Sequence, residues 1–201
     1  MFEESIVPNW LLPALKPRLA GIMRRIRPHT MVSRKRIQSL WRLLHRVENV
    51  PGDFVELGVA SGGTAVMMAL VAGNRECWFY DAFEEFQPAF AQFADVERVM
   101  FEEFALDRNR VHLIKGFFDK AVPQRPPRPI SFLHIDASGY EPVRDGLHPL
   151  YPHVSARGWI AFDNYGVDEG CRRAVDEFLA AHSLADRLQR FGGYQVFFQK
   201  P

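Results

Sequence analysis

The chain reads as an α/β protein: a doubly wound, mostly parallel seven-stranded sheet preceded by an N-terminal helical arm. Three observations predict this. Short apolar runs alternate with helical stretches from residue 53 to residue 199. A glycine-rich turn, Gly58-Val59-Ala60-Ser61-Gly62, separates the first run from a helix start. Four of the runs end at Glu56, Asp81, Asp136 and Asp163, and the carboxyl ends of strands in such a sheet share one crevice.

Taken in order, residues 1–29 form a proline-broken arm, with Pro17 to Ile26 a short basic amphipathic helix. The arm has three readings: packing on its own domain or on a dimer mate, a lid over the substrate, or contact with a membrane surface. Residues 30–201 form the main domain. Ser33 caps a helix running to about Val47, whose apolar residues Ile37, Leu40, Trp41 and Leu44 fall at helical spacing. Pro51-Gly52 precedes the first strand, Asp53–Leu57. The following helix, to Val71, is apolar nearly all round and should be covered on both sides, with Gly73-Asn74 stopping it. Cys77–Asp81 and Val111–Lys115 are the next strands, joined by a phenylalanine-rich helix over 87–104. A proline-rich connector at 123–129 leads to a strand from Ile130 to Asp136. A helix follows from Tyr140 to Tyr151, then a turn at Ser155–Gly158 and a strand at Trp159–Phe162. Gly170 to Ala181 is helical, and Tyr194 to Gln199 closes the sheet, paired with Leu188–Phe191 across two glycines.

The glycine turn carries chemistry. Glycine lets a ligand approach the backbone closely, and the helix start offers free N–H groups. Its spacing, G-x-x-x-G-G, is neither the dinucleotide fingerprint nor a phosphate loop. Glu56 just before it is ill suited to a pyrophosphate and well suited to an ammonium group. A ligand with an amino-acid end fits, and S-adenosylmethionine is the candidate. Asp81, followed by Ala82 and Phe83, stands where an acid accepts hydrogen bonds from ribose hydroxyls; the alternative is a loop cap. Phe117 and Phe118 offer a face to adenine, or belong to the core.

Composition bounds the rest. The net charge of +1 hides an arm-side excess: residues 1–50 carry 10 Lys/Arg against 3 Asp/Glu, leaving 15 against 21 in residues 51–201. A mildly acidic body argues against a nucleic-acid groove. Cys77 and Cys171 lack zinc spacing and suit a reducing compartment. No apolar run approaches a membrane span, and the acidic start at Glu3 and Glu4 lacks the basic region of a signal peptide. A cytoplasmic enzyme with a small-molecule partner is the expectation.

Asp136, Asp163 and Asn164 form a second constellation. Three oxygen donors from neighbouring strand ends suit Mg²⁺, which would acidify an acceptor hydroxyl and hold it in line with a methyl donor. The competing reading is that these side chains cap loops at the sheet edge. Candidate proton acceptors are Asp136, which also borders the cofactor, and Tyr140, better suited to orienting the acceptor because a phenol at pKa about 10 is a poor base. His134 shares the parity of Asp136 but lies deeper, as a core histidine does.

The set Thr30-Met31-Val32-Ser33, Val50-Pro51-Gly52-Asp53-Phe54-Val55-Glu56-Leu57-Gly58-Val59, Tyr80-Asp81-Ala82-Phe83-Glu84, Ile135-Asp136, Phe162-Asp163-Asn164-Tyr165-Gly166 and Gly170-Cys171-Arg172-Arg173-Ala174-Val175-Asp176 resembles the macrocin O-methyltransferase (TylF-like) family over residues 30–199. The resemblance implies a class I methyltransferase fold, S-adenosylmethionine, Mg²⁺ ligation by Asp136 and Asp163, and methylation of a sugar hydroxyl, typically on a glycosylated natural product. Two departures stand out. Asp136-Ala137-Ser138-Gly139-Tyr140 replaces Asp-Gly-Asp-x-Tyr, and Asp163-Asn164-Tyr165 replaces Asp-Asp-Tyr. The remaining Asp…Asp-Asn trio is similar to the metal set of catechol-type O-methyltransferases, although their lysine three residues after the first acid is here Gly139. Alternatives are methylation of a catechol-like or other small-molecule hydroxyl, and a relative that binds the cofactor with catalysis impaired at Ser138. A Rossmann oxidoreductase is disfavoured by the glycine spacing and by Glu56.

Overall fold

Seven strands lie in the order β3-β2-β1-β4-β5-β7-β6 in the computed structural model, which describes residues 7–8, 10–86, 91–124, 129–191 and 193–201. They are β1 Asp53–Leu57, β2 Cys77–Asp81, β3 Val111–Lys115, β4 Ile130–Ile135, β5 Val154–Phe162, β6 Gln189–Phe191 and β7 Gln195–Gln199. β1 to β5 pair in parallel, and only β7 runs antiparallel to β5 and β6. The helices are α1 Leu12–Leu15, α2 Pro17–Ile26, α3 Arg34–Arg46, α4 Gly63–Val71, α5 Phe93–Arg98, α6 Phe118–Gln124, α7 Tyr140–Leu150 and α8 Glu169–Ala181.

Strand parity divides the apolar residues between two cores. Phe54, Phe79, Phe132, Ala161 and Phe197 meet α2, α3 and α4 on one face. Val55, Tyr80, Leu133, Ile160 and Phe198 meet α7 and α8 on the other. This is the two-sided cover that a parallel sheet requires. Ser33 caps α3, its hydroxyl accepting from Arg36 N. The arm joins the first core through Leu12, Leu19, Ile22, Met23 and Ile26, so the apolar stripe of α2 is spent on its own chain.

Two expectations change on folding. Ser155–Gly158 is not a turn before a strand but a bulge within β5. Ile130 pairs with Val154 while Phe132, two residues on, already pairs with Trp159, and Arg157 takes φ +66° to absorb the extra residues. The helix expected over 87–104 is α5 followed by a π-helical turn, Val99–Glu103; residues 87–90 of that stretch lie outside the described residues, as does most of the proline-rich connector.

The decisive local feature is the end of β1. Gly58 has φ +90°, and a Cβ there would stand 2.1 Å from the Asp136 carbonyl oxygen. Glycine therefore lets the first turn lie directly against the end of β4. Gly63 plays a similar part for the arm, where a Cβ would meet the His29 carbonyl and Thr30 Cβ at 2.6 Å. Replacing Gly58 with alanine adds left-handed backbone strain of about 1–2 kcal/mol to that collision. A Gly58→Ala variant is expected to lose at least this much stability in urea unfolding.

Candidate active site

The parallel ladder does not stop at the last strand residue. Gly58 N donates to Tyr80 O at 2.9 Å, Asp136 N to Leu57 O at 2.8 Å, and Asp163 N to Ile135 O at 3.0 Å. These bonds carry β2, β1, β4 and β5 into their loops in register. Their ends open into a cavity of about 700 Å³. Gly58, Ala60, Asp81, Ala82, Phe117 and Phe118 line one part of it. Asp136, Ser138, Asp163 and Asn164 line another, beside Met31, Val32 and Arg36 from the segment before and within α3. A second hollow, at the opposite ends of the strands, is bordered by Arg75. Arg75 donates there to the carbonyls of Val47, Glu48 and Val50 and so ties the loop before β1 together.

Asp81 both faces the cavity and holds its floor. Its Oδ2 accepts from Val59 N (2.7 Å) and Ala60 N (2.8 Å), and its Oδ1 accepts from Phe83 N (2.7 Å). Three backbone donors fix the carboxylate and pin the glycine turn to β2. A carboxylate has about four acceptor positions, so capacity remains for a ligand hydroxyl. Val59, Ser61, Gly62 and Phe83 do not line the cavity: Val59 and Phe83 are buried behind it.

Glu56 is elsewhere. The register aligns it with His134, two residues before Asp136. It is fully buried, with Oε1 2.7 Å from His134 Nδ1, and it does not border the cavity. An ammonium group in the cavity therefore does not reach it. The reason is register: β1 runs two residues past Glu56 before it meets the tip of β4. Burial pushes the Glu56 carboxyl up, against the opposing hydrogen bond from His134. Burial lowers His134, yet the bond and charge of Glu56 outweigh it and leave the imidazole raised. His134 is thus the core histidine that the sequence suggests, bonded to Glu56 through Nδ1.

Tyr140 also departs from expectation. Its hydroxyl donates to Glu177 Oε2 on α8 at 2.5 Å, outside the cavity, and the Arg173 guanidinium carbon lies 4.1 Å from its ring centroid. Glu177 raises its pKa, which makes it a still poorer base.

Asp136 and Asp163 come together as expected. Asn164 Nδ2 donates to Asp136 Oδ1 at 3.1 Å and to Ser138 Oγ at 3.3 Å. Loss of solvent, then the neighbouring Asp163 charge, push the Asp136 carboxyl up to about 7. Asp163 is 1% exposed and already has two partners. Gln195 Nε2 donates to its Oδ1 at 3.0 Å, and Arg36 Nη1 forms a salt bridge to its Oδ2. Sequence reasoning missed Arg36 and Gln195. Arg36 was one of many basic residues, and 127 positions separate it from Asp163.

That pairing decides the metal question for this arrangement. A hard dication would need Asp163, which is engaged by a guanidinium, and Asn164, which turns its N–H rather than its oxygen toward Asp136. The residues as placed do not fit Mg²⁺ held by Asp136, Asp163 and Asn164.

The fold and this edge can be set beside known proteins. The family model described as macrocin-O-methyltransferase (TylF) matches residues 15–200. This chain belongs to that family. The chain is 30% identical to the 8-demethyl-8-(2,3-dimethoxy-alpha-L-rhamnosyl)-tetracenomycin-C 4'-O-methyltransferase of Streptomyces olivaceus, over 93% of this chain and 81% of the relative. It is 28% identical to the demethyldecarbamoylnovobiocin O-methyltransferase of Streptomyces niveus, over 86% and 76%. The solved structure of the O-methyltransferase NovP superposes with a TM-score of 0.74 at 27% identity, covering 86% of this chain and 82% of that one. The chain is an O-methyltransferase of an S-adenosylmethionine-dependent family. Among the described residues no helix is long and apolar enough to cross a membrane.

Because the Tyr140 hydroxyl points to Glu177, a Tyr140→Phe variant of this O-methyltransferase should keep turnover within about threefold, the loss of one exposed hydrogen bond. A hundredfold fall in steady-state rate would return Tyr140 to the chemistry.

Proposed function

We propose that this enzyme transfers a methyl group from S-adenosylmethionine to a hydroxyl of a sugar carried on a small-molecule natural product, with Asp136 taking the proton. The observation that carries the reading is that Asp81, the glycine turn and Asp136 share one cavity. The relatives that methylate a rhamnosyl-tetracenomycin and demethyldecarbamoylnovobiocin support the acceptor class.

Bound S-adenosylmethionine supplies an activated methyl on a sulfonium, which passes to the acceptor oxygen as the sulfur–carbon bond breaks. The chain contributes binding, orientation and a proton acceptor. Asp81 offers its remaining acceptor capacity to ribose hydroxyls. Gly58 and Ala60 present backbone to the amino-acid end. Ala82, Phe117 and Phe118 offer an apolar wall to the base. Asp136 receives the hydroxyl proton as the oxygen becomes bonded to carbon. A carboxyl poised near neutrality is matched to that task, since it is ionised enough to accept and basic enough to hold the proton. Asp163 sustains this by its negative charge. Mg²⁺ has no step in this scheme.

Three outcomes test the scheme. Asp81→Ala should weaken S-adenosylhomocysteine binding in calorimetry by about tenfold or more, the worth of a charge-assisted hydrogen bond. Asp136→Asn should lower turnover on a rhamnosylated acceptor by about 10²–10⁴, the usual contribution of a general base, with S-adenosylhomocysteine affinity little changed; equal loss of both would sink the division of labour. Since the raised Asp136 carboxyl accepts a proton only when ionised, kcat/KM for the acceptor should climb with pH and level off above about 7. The positive charge of a bound cofactor moves that limb lower, and the water it displaces moves it higher. A rate flat from pH 5 to 8 would remove Asp136 as the base.

A further inference from the structure

We propose that Arg36 occupies the cation position of this site, so that its guanidinium and a divalent cation compete for Asp163. The inference rests on the reading of the cavity as the methyl-transfer site and adds a residue to it. Arg36 is held ready for the role. It sits in the first turn of α3, its Nε 3.4 Å from the Ser33 hydroxyl that caps the helix. Its guanidinium carbon lies 5.9 Å from the Tyr194 ring centroid, with the side chain 15% exposed. The Nη1–Asp163 salt bridge closes at the cavity wall, where Arg36 and Asp163 both line the space that contains Asp136 and Asn164.

The physical need is charge balance. Asp163 is buried and Asp136 stands half-buried beside it at the cavity wall, and such a pair is eased by a cation or a retained proton. Either a dication or a guanidinium meets that need. Arg36 meets it from within the chain, with the planar geometry suited to a carboxylate. Gln195 Nε2 holds the other oxygen of Asp163, so the carboxylate is fixed toward α3 rather than toward Asn164. A dication entering there would meet a fixed positive charge at its principal ligand.

The test measures Mn²⁺ binding to the full-length protein by the electron paramagnetic resonance of free Mn²⁺, so no turnover is required. Arg36→Met removes the charge, and Arg36→Gln does so while keeping a hydrogen-bond donor, should the methionine variant fold poorly. Either is expected to bind Mn²⁺ at least tenfold more tightly than the wild type. Arg36→Lys, which keeps the charge, should stay within threefold of it. Unchanged or weaker Mn²⁺ affinity in the neutral variants, no binding in any form, or an equal gain in Arg36→Lys would overturn the proposal. Calorimetry with S-adenosylhomocysteine on the same proteins reports separately. Its failure in the wild type would strike the methyl-transfer reading, whereas intact cofactor binding with unchanged Mn²⁺ affinity would strike only the role of Arg36.

Discussion

A buried carboxylate, Asp163, beside a half-buried one, Asp136, at adjacent strand tips sets the terms for this site. Loss of solvent and the charge of Asp163 beside it both favour a proton on Asp136. The structure resolves the conflict unequally. Asp163 receives Arg36 and Gln195, while Asp136 receives the neutral amide of Asn164 and keeps a raised affinity for a proton. One acid becomes a fixed charge and the other a proton acceptor. That asymmetry of partners matters more to the chemistry than the presence of two acids in the sequence.

The sheet makes the juxtaposition unavoidable. Parallel pairing of β1, β4 and β5 places Ile135 beside both Leu57 and Phe162, so the next residues, Gly58, Asp136 and Asp163, fall side by side. Their parity puts the two acids on the face covered by α2, α3 and α4, which is why a residue of α3 reaches Asp163. The arm is part of the same logic. Its apolar residues share the core beneath α4, and the close seating of His29 and Thr30 on Gly63 fixes the chain that leads through Met31 and Val32 to Arg36. The acceptor side of the cavity is thus built from the segment that precedes the sheet.

Much of this was legible in the sequence, for reasons that differ by element. The five parallel strands and the glycine turn announce themselves because apolar runs and positive-φ glycines are local properties. The bulge in β5 was read as a turn because Ser155-Ala156-Arg157-Gly158 has turn composition, and only pairing with β4 keeps those residues in the strand. The sequence offers Tyr140 as a group to orient the acceptor, but the first turn of α7 directs its hydroxyl to Glu177 on α8. Arg36 and Gln195 could not be singled out from one sequence: their importance lies in contacts across 127 and 32 positions, and no local pattern marks the right arginine among ten basic residues in the first fifty.

Glu56 shows how one motif position can be placed differently by register. The sequence places it one residue beyond mid-strand, just before the turn, and that position suggests a tip. Register makes it a rung instead, paired with His134 and sealed from the cavity. A buried carboxylate is tolerated only with a partner that shares a proton or a charge, and His134 is that partner. Glu56 Oε2 and His134 Nε2 find no further partner among the described residues, so the pair is held together by one short contact within the core. Its field reaches the site from below: Glu56 adds to the pressure that raises Asp136, while His134 opposes it. Those two influences have opposite sign and arise from one hydrogen-bonded unit, so they offset each other in part at Asp136. The strongest demand on Asp136 therefore remains its loss of water and its neighbour Asp163, and the proton affinity of the site is governed at the strand tips rather than by the acid that first drew attention to the turn.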